Sequence, residues 1–227
     1  DKHLSYNWDD AKWMYDKSRE LGFPLMGGSS IPFYFRKPEI ELAAGTPIKN
    51  SILVGGASDE GAIFHCIDVL QAFVEHRKGG ETGVKSVQSV RGPEAWKWVE
   101  NNQWAGKLLD SVAKSFDMKP GSFQEAKQSN ICIIEYRDKT KAAVISGRGV
   151  GWSWAGEIAG QNEPTVISML GWPGPYSQYH ASNAQPHWIT EMMVTGKEPY
   201  NAERLLLSTG ITNQYMESNW ENGRYSP

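Results

Sequence analysis

Apolar positions in residues 61–74 recur at helical spacing. Ile63, Cys66, Ile67, Leu70 and Val74 form one stripe, so the run predicts a buried helix. The same periodicity, with capping and stop signals, predicts helices over 8–21, 94–101, 106–116, 185–195 and 202–220. The first is capped by Ser5 or Asn7, carries Asp9 and Asp10 in its first turn and ends at Gly22; the last is capped by Asn201. Short apolar or alternating runs predict strands over 24–27, 48–56, 84–90, 130–136, 141–146, 151–158 and 165–170. Prolines at 32, 38 and 47 mark a connection with one helical turn near 39–43, and 171–184 reads as an irregular loop. The pattern predicts an α+β fold: an open, largely antiparallel mixed sheet with helices on one face. Trp152 and Trp154 alternate with Ser153, which predicts an aromatic outer face on which copies of the chain pair as a homo-oligomer.

Composition changes this picture little. The 227 residues contain 40% hydrophobic and 22% charged residues with a formal net charge of -3, as in ordinary globular proteins. There is no basic excess to suggest nucleic acid, and no apolar run approaches a membrane span. Both cysteines, Cys66 and Cys132, sit in apolar contexts, so neither a disulfide framework nor a zinc site is indicated. His180 and His187 lack a usual ligand spacing, and no metal is expected. Ten tryptophans offer faces suited to sugar rings as well as to a core.

Candidate chemistry centres on the 61–74 helix, where His65 and Asp68 fall on one face, within reach of each other or of a common ligand. That spacing fits a general acid/base site, and equally a histidine held by a carboxylate one turn away. Gly28-Ser-Ser30, after the short 24–27 strand, would let a ligand approach the backbone, or would simply be a tight turn. The glycines of 144–151 fail the dinucleotide fingerprint: Trp152 takes the third glycine position, and an alternating strand follows where a helix is required.

Several segments resemble the Gfo/Idh/MocA oxidoreductases, in the right order along the chain. Asp1-Lys2-His3 resembles that family's Glu-Lys-Pro triplet, and the following helix and Leu25-Met-Gly-Gly28 resemble its next helix and strand. His65-Cys-Ile-Asp68 is similar to its His-x-Ile-Asp segment, and 192–200 and 201–210 to its closing helices. The resemblance implies that residues 1–30 are the helix and strand ending a Rossmann-like domain. Residues 31–227 would then be a carboxyl-terminal substrate and assembly domain. It also implies a longer, cytoplasmic protein that binds NAD or NADP upstream and oxidises a sugar, polyol or glycoside; no dinucleotide is expected on this chain alone. Lys2 and His65 would be catalytic, with Asp68, Asp59 and His3 binding substrate. The pattern departs at His3, where the family has proline, and at Gly61, where it has aspartate four residues before the histidine; Asp59 would substitute. Those departures keep a second reading open, a catalytically lapsed scaffold or carbohydrate-binding oligomerisation module.

Overall fold

The computed structural model describes residues 2–56, 60–126, 129–147, 149–170 and 177–223. Helix α1 (Trp8–Leu21) starts where the Asn7 side chain accepts the Asp10 N–H at 2.9 Å and stops at Gly22, in the left-handed region at φ 69°. Residues 24–27 do not form the expected strand. A strand needs a ladder partner, and here the backbone is tied elsewhere: the Leu25 N–H donates to Glu198, and the Gly28 N–H donates to the Lys2 carbonyl at 2.8 Å. A 3-10 turn (Ile31–Phe33) and strand β1 (Phe35–Lys37) follow, and residues 39–43 are not helical.

The sheet contains β1, β2 (Ile48–Gly55), β3 (Val84–Arg91), β4 (Asn130–Tyr136), β5 (Lys141–Ser146), β6 (Trp152–Ile158) and β7 (Thr165–Leu170). Their order is β1-β7-β6-β2-β5-β4-β3, with β2–β5 parallel and every other pair antiparallel. This is the open, mostly antiparallel mixed sheet that the alternation predicts. On one face, Leu53, Val144, Trp154 and Ile167 pack with α2 (Glu60–Val74) and α6 (Glu203–Trp220).

Helices do not cover one face only, as expected. α3 (Pro93–Asn101) and α4 (Gln103–Ser115) lie on the other, where Leu108, Leu109 and Val112 meet Ile52, Val54, Ile145 and Ala155. The contiguous run Ile52-Leu-Val54 carries the reason, because a strand apolar on both faces needs cover on both. The two strand tryptophans also pack against the core, Trp154 buried and Trp152 half-buried. Trp154 is fully buried, stacks on Phe73 at 4.7 Å and donates from Nε1 to Ser51 Oγ at 2.6 Å, while Trp152 packs edge-on against Tyr34. The aromatic outer face expected to pair copies of the chain is therefore interior, on the α2 side. Helix α5 (Ser177–Thr195) begins within the stretch read as a loop, and α6 starts at Glu203 with no side-chain cap from Asn201.

Candidate functional site

Most of α2 faces the core, with Ile63, Phe64, Cys66, Ile67, Val69 and Leu70 all fully buried, which fixes its rotation and leaves His65 half-buried at its edge. Opposite lies the start of the chain, held in place by its backbone. The Lys2 carbonyl accepts from Gly28, the Leu4 N–H donates to Thr209 Oγ1 at 3.1 Å, and the His3 ring meets Phe64 edge-on at 5.3 Å. Lys2, His3, Gly61 and His65 thus share a cavity of about 770 Å³ with Tyr6, Ser30 and Gln185. His3 Nε2 lies 3.5 Å from Glu60.

Under this cavity runs a polar chain. Ser29 Oγ is 2.7 Å from His65 Nδ1, the Ser29 N–H donates to Asp68 Oδ2 at 2.8 Å, and Ser208 donates to Asp68 Oδ1 at 2.9 Å. Gly28 makes this possible. Its φ is +97°, and a Cβ there would lie 2.9 Å from Asp68 Oδ2. Burial pushes the Asp68 carboxyl above its ordinary range, against the pull of the Arg204 guanidinium and these hydrogen bonds. Arg204 is itself held by Glu75, at 2.8 and 2.6 Å. The His65 pKa is lowered, first by burial and then by the Lys2 charge. The imidazole is therefore neutral near pH 7, and with Nδ1 on Ser29 its Nε2 is the nitrogen left for the cavity.

Of the residues picked from the sequence, Lys2, His3 and His65 converge on the cavity. Asp68 does not line it; only 2% exposed, it lies behind the wall and holds Ser29 and Ser208 instead of contacting a ligand. Asp59 lies outside the described residues. Ser29, the direct partner of His65, was missed; the small-residue loop that carries it was visible, but nothing in the sequence tied it to a helix thirty-odd positions on. Gln185, which lines the cavity and reaches the Gly28 carbonyl at 3.5 Å, gave no signal. Both thiols are buried, and burial pushes Cys66 up to about 12, so neither is a nucleophile at neutral pH. Among the described residues no group of three or more His, Cys, Asp or Glu is placed to hold a metal ion, and no helix is long and apolar enough to cross a membrane.

No protein-family model matches the sequence, and no curated protein does. Solved structures do match. GenD2 from gentamicin A biosynthesis, in complex with NAD, superposes with a TM-score of 0.60 at 9% identity, over 99% of this chain and 69% of that one. Myo-inositol dehydrogenase from Lactobacillus casei, in complex with NAD(H) and myo-inositol, gives 0.58 at 9% identity, over 99% and 68%. Apo scyllo-inositol dehydrogenase from the same organism gives 0.54 at 12% identity, over 97% and 69%. The likeness is one of fold, and it agrees with the carboxyl-terminal part of Gfo/Idh/MocA-type dehydrogenases that the sequence resembles.

Proposed function

We propose that this chain is the carboxyl-terminal, substrate-binding part of a longer NAD(P)-dependent oxidoreductase acting on a sugar, polyol or glycoside. The observation that carries it is the meeting of Lys2 and His65, distant in sequence, on one cavity large enough for a small-molecule ligand. The fold shared with polyol dehydrogenases supports the same reading. In this reading residues 1–30 close a Rossmann-like domain that lies mostly upstream.

The chemistry is proton management at a hydroxyl. As the carbinol C–H bond gives up its hydride, the O–H proton passes to His65 Nε2, and the Lys2 ammonium stabilises the negative charge developing on oxygen. His3, tethered to Glu60, presents its ring to a neighbouring hydroxyl. The nicotinamide would supply the hydride acceptor. The glycine turn after β5 leads into strand β6 and not into a helix, so that turn does not form a phosphate cradle. In this reading the cofactor is held by the upstream part.

Nicotinamide absorbance of the longer protein with a panel of polyols and sugars tests the proposal, and His65→Ala should lower turnover by roughly a hundred-fold. Undiminished turnover in that variant would remove His65 from the mechanism. One observation favours the scaffold reading: Gly61 brings no carboxylate to the cavity. A longer protein that binds sugars but never reduces nicotinamide would establish that reading instead.

A further inference from the structure

The spacing of His65 and Asp68 suggests a direct histidine–carboxylate pair, but among the described residues no hydrogen bond joins them; Ser29 stands between. We propose that Ser29 is a positioning residue for His65: its hydroxyl holds Nδ1 while Asp68 anchors its backbone, so that Nε2 is left unprotonated on the cavity side to take up and return the exchangeable proton. The catalytic meaning of this rests on the oxidoreductase reading above; the contact itself does not.

A serine hydroxyl has one proton and two acceptor sites. Ser29 Oγ accepts the Ile31 N–H at 3.0 Å and lies 2.7 Å from His65 Nδ1, and in the proposed arrangement its second acceptor site takes Nδ1–H. With that bond made, Nε2 is unprotonated and faces the cavity. When Nε2 takes a proton, the imidazolium keeps the same Nδ1–H to Oγ bond, so the ring changes charge without any heavy atom moving. Ser29 cannot drift, because its N–H is clamped by a carboxylate that is in turn held by Ser208. Interposing the hydroxyl also separates the ring from the Asp68 charge. A carboxylate directly on Nδ1 would raise the ring's basicity, whereas here burial and Lys2 prevail and lower it. Among the described residues, the charged and titratable groups around the ring are Lys2, His3, Tyr6 and Glu60 on the cavity side, and Asp68 behind it with Arg204 and Glu75 beyond.

Side-chain nitrogen NMR of the chain, with His65 assigned by its loss in His65→Gln, reads tautomer and titration midpoint together. The parent should show the Nδ1–H tautomer at neutral pH. Ser29→Ala should move the His65 midpoint down, because the imidazolium loses its acceptor, while the other histidines stay in place. Ser29→Thr should restore it. Ser29→Cys, close in volume but a weak acceptor, should move it down as well and covers the case in which the alanine variant does not fold. In the longer protein Ser29→Ala should lower kcat about ten-fold with little change in KM, and shift the acid limb of the pH profile in the same direction. An unmoved midpoint in both Ser29→Ala and Ser29→Cys overturns the proposal and leaves the oxidoreductase reading standing. Absence of dehydrogenase turnover removes that reading without touching the spectra.

Discussion

The His65 imidazole sits half out of water beside a lysine, and both act on its proton in the same direction. Its folded pKa lies below the 6.5 of the unfolded chain, with burial the larger cause and Lys2 the second. Between those two values the unfolded chain binds more protons, so stability rises with pH. The contribution is complete above 6.5 and is lost as pH falls through the folded value. Urea unfolding below and above that pH should show His65→Gln flattening this limb; an unchanged slope would mean that the ring is equally solvated in both states. Arg77 illustrates the opposite way of handling a buried charge. Only 1% exposed, it donates to Asp138 at 2.6 Å and Glu81 at 3.0 Å and lies 4.4 Å from the Tyr136 ring centre. Arg77→Ala empties a buried side-chain volume and frees two surface carboxylates, and should cost about 2–4 kcal/mol, read from the urea midpoint. A loss within experimental error would show the cluster to be solvated.

At the scale of elements, Trp154 and the residue two positions on form one packing unit. A Cβ at Gly156 would come within 2.2 Å of the Trp154 ring, so the indole lies across its own strand over a position that only glycine can fill. Gly156→Ala should destabilise by about 1–3 kcal/mol and Trp154→Ala by about 3–5 kcal/mol. The double variant should cost less than the sum, because the alanine methyl enters space the indole has left. Strict additivity in thermal unfolding would contradict that coupling. The sequence showed these strands well, since period-two alternation survives on any half-buried strand, and β4, β5 and β7 lie where expected. It could not show which face the tryptophans take, because alternation assigns residues to two sides without naming the side that a helix covers. The short 24–27 strand failed for a related reason: local apolarity is legible, a ladder partner is not.

For the whole molecule, the site was legible where one residue type has one obvious use and illegible where geometry joins distant segments. His65, and Lys2 through the family resemblance, were singled out from the sequence and line one cavity, whereas the Ser29 bridge needs the loop and α2 folded together. Asp68 was placed on the correct face but at the wrong depth, because helical spacing fixes direction and not distance from solvent. Calorimetric titration of the chain with NAD(H) should give no micromolar binding, since the glycine turn after β5 leads into strand β6 and not into a helix; a clear isotherm would relocate the cofactor. The place of β2 in the sheet has a consequence for synthesis. It lies between β5 and β6, with Leu53 opposite Val144 on one side and Trp154 on the other, so both its neighbours are made much later than it is. The β4–β5 and β6–β7 pairs are local hairpins that can close as soon as they leave the ribosome, while β2 waits with both edges bare. The β6 edge of β2 thus stays open until late in synthesis, and a chain stalled before residue 152 would expose that edge to any partner able to add a strand of its own.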